Sequence, residues 1–154
     1  MPSAEEIGKS AVSSFSREEE FSASYDANYY QFHMGPESYD RSNPIWSKFF
    51  HSVAKQIIEE LHPSTFLDAG CALGFLVEQL RVLGVDARGF DISEFAISSA
   101  PEALKPFLSL ASLADEIEGT FDVISCIEVL EHLPESLAKP AIKNLCGHTE
   151  VVIF

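Results

Sequence analysis

Basic side chains are scarce in this chain. Ten Lys and Arg stand against 24 Asp and Glu, for a formal net charge of −14. A surface so acidic repels phosphate backbones and excludes nucleic acid as a bulk partner. Long apolar runs are missing too. No stretch of about 18 uncharged apolar residues occurs, so no membrane span is encoded. The opening MPSAEEIGKS is acidic and has no apolar signal core. The three cysteines, Cys71, Cys126 and Cys146, show no metal-ligand spacing and sit in apolar neighbourhoods. They read as reduced core thiols of a cytoplasmic protein. No internal repeat is present.

What the chain does have is core-forming material, 46 % of its 154 residues, enough for one domain. Residues 1 to about 24 are rich in Ser, Ala and Glu. Ser3 and Glu6 are spaced as a capping box, but the apolar spacing behind them is weak, which predicts a frayed helix or a disordered arm. The aromatic segment 25–43 is broken by Gly35-Pro36 and predicts an ordered loop. Asn43 then caps a helix with Pro44 at its first position, and apolar residues recur from Ile45 to Leu61 at helical spacing.

From there short apolar runs alternate with helical patterns. Strands are predicted over 65–69, 85–92, 106–110, 121–127 and 150–154. Helices are predicted over 73–83, closed by Gly84, near 94–99, capped by Ser93, and over 134–146, where Pro140 implies a kink or a late start. This alternation predicts a doubly wound α/β domain with a mostly parallel sheet and helices on both faces. Residues 1–43 form the arm and aromatic loop, and 44–154 form the core. Because the chain stops inside an apolar strand, the expectation is a fragment lacking its C-terminal strands. The alternative is an end that docks on a second copy, as a homodimer would.

The stretch FLDAGCALGFL lies where the first strand meets its helix, at the carboxyl end where open parallel sheets bind ligands. Gly70 and Gly74 permit tight turning and close approach, and the helix behind them offers free N–H groups. A dinucleotide fingerprint needs glycine at its sixth position, where this chain has Phe75. Asp68 repels a diphosphate and suits a cation instead.

With GFDIS and FDVISCIEVLEHLP following in order, the sequence resembles the class I S-adenosylmethionine-dependent methyltransferases, over about residues 44–154. That family has a Rossmann-like core. Its first motif maps onto Asp68, Gly70, Ala72 and Gly74, with alanine in place of the middle glycine. The resemblance implies that Asp91, with Ile92 after it, binds the ribose hydroxyls of S-adenosylmethionine, that Ser112 and Leu113 bracket the adenine, and that Glu128 walls the cofactor site. S-adenosylhomocysteine is then the product.

His132 is the candidate general base, since imidazole titrates near neutrality, with Glu131 beside it as a second catalytic candidate. The alternative is a divalent metal on Glu128, Glu131 and His132, as in some metal-assisted O-methyltransferases, though no metal is the expectation. A structural role for Glu131 and His132 in capping the next helix is the third reading. Of the aromatic segment, Tyr29, Tyr30, His33 and Tyr39 are the candidates to cover the cofactor, Tyr30 and Tyr39 foremost. They could equally pack on the helix bearing Trp46 and Phe50.

The resemblance extends to bacterial methyltransferases found near glycan-assembly enzymes. The implied reaction moves a methyl group to a small-molecule or glycan-linked acceptor, at oxygen. The rival readings are a cofactor-binding module without turnover and a nicotinamide-dependent oxidoreductase.

Overall fold

The computed structural model describes residues 24–32 and 37–154. The expected arm with its Ser3–Glu6 pair lies outside the described residues, as do His33 and the Gly35-Pro36 breaker. The strands are β1 (Thr65–Ala69), β2 (Asp86–Asp91), β3 (Leu108–Leu110), β4 (Val123–Ser125) and β5 (Val152–Ile153). The helices are α1 (Ala27–Phe32), α2 (Pro44–Leu61), α3 (Phe75–Val82), α4 (Glu94–Ser98) and α5 (Glu135–Cys146), with 3₁₀ turns at Lys105–Phe107 and Leu130–His132.

All strand pairs are parallel, in the order β3-β2-β1-β4-β5. The chain steps outward from β1 to β3, then crosses back to lay β4 and β5 on the other side. Strand order therefore reverses between β1 and β4, and the loops leaving those two strands part to open a crevice. Successive residues of β1 serve opposite faces. Phe66 joins the core made with Ala54, Ile57, Leu76 and Leu80 of α2 and α3. Leu67 and Ala69 join the core made with Ala141 and Leu145 of α5.

The helix ends follow their sequence signals. Asn43 accepts a hydrogen bond from Ile45 N at 3.1 Å, and Pro44 takes the first helical position. Ser93 caps α4 by accepting from Ala96 N at 3.0 Å. Gly84, at φ 95°, turns the chain out of α3, where an L side chain would be strained.

Several boundaries differ from the sequence expectation. Part of the predicted aromatic loop is the helix α1, and Asp26 starts it by accepting from Tyr29 N at 3.0 Å. That cap is the sequence signal that could have found it. Helix α3 begins at Phe75 rather than residue 73, because Cys71–Gly74 is spent on a turn closed by Gly74 N to Cys71 O at 2.8 Å. The first half of 106–110 belongs to a 3₁₀ turn. Pro140 sits inside an α5 that already starts at Glu135, so there is no late start. The carbonyl it leaves without a helical partner is that of exposed Ser136, within reach of water.

Candidate active site

A cavity of about 380 Å³ opens at the carboxyl ends of the strands. Its floor is the β1–α3 turn. Gly70 adopts φ 88°, and a Cβ there would meet Val129 Cγ2 at 2.3 Å, so only glycine lets the turn pass beneath the β4 tip. Gly70 N and Cys71 N both donate to Phe90 O, at 2.8 and 2.9 Å, which ties this turn to β2.

Asp91, the last residue of β2, is buried in the wall. Its Oδ2 accepts from Ala72 N and its Oδ1 from Ser93 N, each at 2.8 Å. One carboxylate thus holds both the first turn and the cap of α4. Burial raises its pKa, while the backbone N–H groups of Ser93, Ala72 and Ile92 work in the opposite direction. A carboxylate has about four acceptor sites, so capacity remains for a ligand hydroxyl beside these donors.

Asp68 lines the same cavity and is buried. Burial pushes its carboxyl up to about 6, opposed by the Ser125 hydroxyl, which donates to Oδ1 at 2.6 Å, and reinforced by the Asp91 charge. A carboxyl raised from 3.8 to about 6 makes the fold bind its proton more readily than the unfolded chain does. The ionised form therefore destabilises the ligand-free fold above about pH 6, and the penalty is relieved as pH falls towards 3.8. Asp68→Asn, which keeps an oxygen for Ser125, is expected to melt several degrees higher than the parent chain at pH 7.5. That advantage should vanish near pH 4. Matching melting temperatures across the range would show that Asp68 carries no such penalty.

The roof is aromatic. Tyr25, Tyr29, Tyr30 and Tyr39 line the cavity together with Trp46 and Phe50 of α2. Tyr30 stacks between Tyr39 and Phe95, at ring separations of 6.2 and 5.8 Å. Tyr39 packs edge-on to Trp46 and Phe75. Tyr39 thus packs on the α2 rings Trp46 and Phe50, and all four tyrosines face the cavity. Ser93 Oγ donates to Tyr25 O at 2.6 Å and fastens the roof to β2. Burial and the nearby carboxylates raise the pKa of all four tyrosines.

The β4 tip supplies Glu128 and His132 to the cavity, and the loop after β3 supplies Ser112 and Leu113. Ile92 lines it as well. Glu128 has φ 55°, a left-handed conformation that costs a non-glycine residue about 1 kcal/mol. His132 lies edge-on to Tyr25 at 6.1 Å. Glu131 is not among the cavity-lining residues. A 3₁₀ turn has three residues per turn, so neighbours diverge by about 120°; both Glu131 and His132 are exposed, but only His132 lines the cavity. Glu128, Glu131 and His132 are not brought together: among the described residues no group of three His, Cys, Asp or Glu converges to hold a metal. Neither Glu131 nor His132 caps α5, whose first turn follows Pro134 without a side-chain cap.

Gly74 makes the tight turn expected of it, at φ 75°. It does not line the cavity but packs under the sheet edge, where a Cβ would meet Leu108 Cδ1 at 2.9 Å and Leu104 Cδ2 at 3.0 Å. Sequence reasoning missed two supports. Gly89 sits beneath Cys71, with room for no side chain. Asn144 of α5 donates to Leu113 O at 3.1 Å and Asp115 O at 2.8 Å, bracing the loop after β3 from below. No local pattern marks either residue, because each answers a neighbour distant in sequence.

The family model described as a methyltransferase domain matches residues 45–147. The chain belongs to that family. Its fold is that of the class I S-adenosylmethionine-dependent methyltransferases. The chain is 39 % identical over 77 residues to a ubiquinone biosynthesis O-methyltransferase of Methylococcus capsulatus, covering 45 % of this chain and 32 % of that protein. To the protein of the same description from Paraburkholderia phymatum it is 33 % identical over 101 residues, covering 60 % and 41 %. The chain thus spans about a third of the length of the first relative. Among solved structures, magnesium protoporphyrin IX methyltransferase of Synechocystis PCC 6803 with bound S-adenosylmethionine aligns at a TM-score of 0.57. The identity is 25 %, over 69 % of this chain and 57 % of that one. No helix among the described residues is long and apolar enough to cross a membrane.

Proposed function

We propose that this methyltransferase binds S-adenosylmethionine in the cavity and transfers its methyl group to an oxygen of a small-molecule acceptor. The observation that carries the reading is Asp91, a buried carboxylate at the tip of β2 that lines the cavity with both oxygens anchored by backbone N–H groups. Two such oxygens suit a pair of vicinal hydroxyls. Ser112 and Leu113 then flank the adenine, Gly70, Ala72 and Ile92 form the floor, and Tyr30, Tyr39 and Glu128 complete the enclosure. The carboxylates favour a cation over the diphosphate of a nicotinamide dinucleotide. The bound cofactor supplies a methyl group on a sulfonium, already a good leaving group.

The chain's own contribution is alignment and the acceptor proton. Burial first, and the nearby carboxylates after it, hold a hydroxyl in its protonated form here, as the raised tyrosines illustrate. A base is therefore needed. Among the described residues that line the cavity, only His132 carries an imidazole nitrogen to take that proton. Glu131, exposed and off the cavity, is not required in this scheme.

A thermal-shift and calorimetric panel of S-adenosylmethionine, S-adenosylhomocysteine, NADH and ATP tests the reading. Stabilisation by the two sulfur nucleosides is expected. A response to NADH alone would overturn it. With an acceptor in hand, His132→Ala is expected to lower kcat by about 100-fold or more while the S-adenosylhomocysteine affinity stays within threefold. Undiminished turnover would remove the base role.

A further inference from the structure

We propose that Asn144, on α5 and outside the cavity, is a positioning residue that sets how tightly the adenine end of the cofactor is held. The inference rests on the methyltransferase reading and deepens it, since Ser112 and Leu113 flank an adenine only on that reading. Ala111, Ser112 and Leu113 line the cavity, whereas Asn144 does not.

The loop after β3 has its shape fixed locally. Ser112 N donates to Asp115 Oδ2 at 2.7 Å, Asp115 N to Ser112 O at 3.0 Å, and Ala114 N to Ser112 Oγ at 3.2 Å. These bonds close a turn without deciding where it sits. The strand that leads into it gives little hold, being three residues long at one end of the sheet. Ala111 N ties the start of the loop to Asp91 O at 3.0 Å. Further on, Leu113 and Ile117 are buried with Ala141 and Leu145 of α5. That attraction is non-directional, so it holds the loop down without fixing its register.

Asn144 supplies the direction. Its Nδ2 donates to Leu113 O at 3.1 Å and to Asp115 O at 2.8 Å, so both amide protons are spent on one turn. The mount is rigid, because Leu145 beside it is fully buried and Ala141 a turn earlier is buried too. An aspartate has the same shape, but when ionised it only accepts hydrogen bonds. It would set a carboxylate against two carbonyl oxygens. Binding constellations hold their geometry to within about 0.5 Å, so a turn released from Asn144 brackets an adenine poorly. The loss falls on affinity more than on stability. Asp115 is exposed, and its carbonyl turns to water once the amide is gone.

Isothermal titration of the full chain with S-adenosylhomocysteine and with adenosine, well below the melting temperature, tests this. Asn144→Ala is expected to weaken S-adenosylhomocysteine about fivefold and Asn144→Asp at least about tenfold. Adenosine should weaken by the same factors, because it keeps the nucleoside and lacks the amino-acid end. The melting temperature of Asn144→Ala should fall by only a few degrees. Asn144→Ala removes the tie without adding a charge and suffices alone if Asn144→Asp fails to fold. A residue that merely stabilises the fold would lower the melting temperature and leave both affinities within about twofold of the parent chain. That result overturns the inference, as does a loss confined to S-adenosylhomocysteine, and either leaves the methyltransferase reading standing. A parent chain that binds neither ligand overturns both.

Discussion

Asp91→Ala is expected to abolish measurable binding of S-adenosylmethionine and S-adenosylhomocysteine, a loss of at least about 100-fold in affinity. Two effects combine. The ribose hydroxyls lose their acceptor, and Ala72 N and Ser93 N lose theirs. Each orphaned buried donor costs about 1–3 kcal/mol, so the first turn and the start of α4 loosen along with the missing contact. Asp91→Asn separates the two effects. One oxygen still accepts, but the amide NH₂ faces one of the two backbone donors, so an intermediate affinity and a smaller fall in melting temperature are expected. Calorimetry with S-adenosylhomocysteine, paired with thermal melts, reads both. Binding by Asp91→Ala within threefold of the parent chain would remove Asp91 from the site.

Gly89→Val is expected to leave the chain unfolded, and Gly89→Ala to cost about 3 kcal/mol in urea denaturation. Gly89 is buried in the middle of β2, paired with Asp68 on one side and Leu108 on the other. A Cβ there would lie 2.7 Å from Cys71 Cβ, 2.9 Å from Cys71 Sγ and 2.9 Å from Val77 Cγ2. Cys71 cannot swing aside, since its Cβ is fixed to the turn that both Gly70 N and Cys71 N anchor on Phe90 O. The first contact is therefore relieved only by moving backbone. Cys71→Gly in the Gly89→Ala background removes the two closest atoms and should recover at least half of the loss. A neutral Gly89→Ala would mean that the turn yields more easily than its hydrogen bonds imply.

The parts of this protein that were legible in the sequence are those set by local rules. β1 runs over the predicted 65–69, Asn43 and Ser93 cap where their side chains indicate, and the acid of GFDIS ends β2 in the cavity wall. A strand period, a cap and a glycine turn each need only a few neighbouring residues. What escaped notice was settled across the fold. The shape of Gly89 answers Cys71, and that of Gly74 answers Leu104 and Leu108. The pairing of Glu128, Glu131 and His132 failed because adjacency in sequence is not convergence on a 3₁₀ turn. Helix α1 was hidden by its tyrosines, since the packing of Tyr30 on Tyr39 and Phe95 belongs to the tertiary structure.

The double anchorage at Asp91 bears on how such a site can diversify. The βα connections after β1 and β2 share one carboxylate, so a residue added to or lost from either would unseat the other, and their lengths are locked together. Among the described residues, the segment 127–133 shows no carboxylate that ties it to two neighbouring loops in this way. On the proposed reading, changes there that keep Glu128, Val129 and His132 would alter which acceptor fits while the turns after β1 and β2 stay in register, which makes it the place to graft a new specificity.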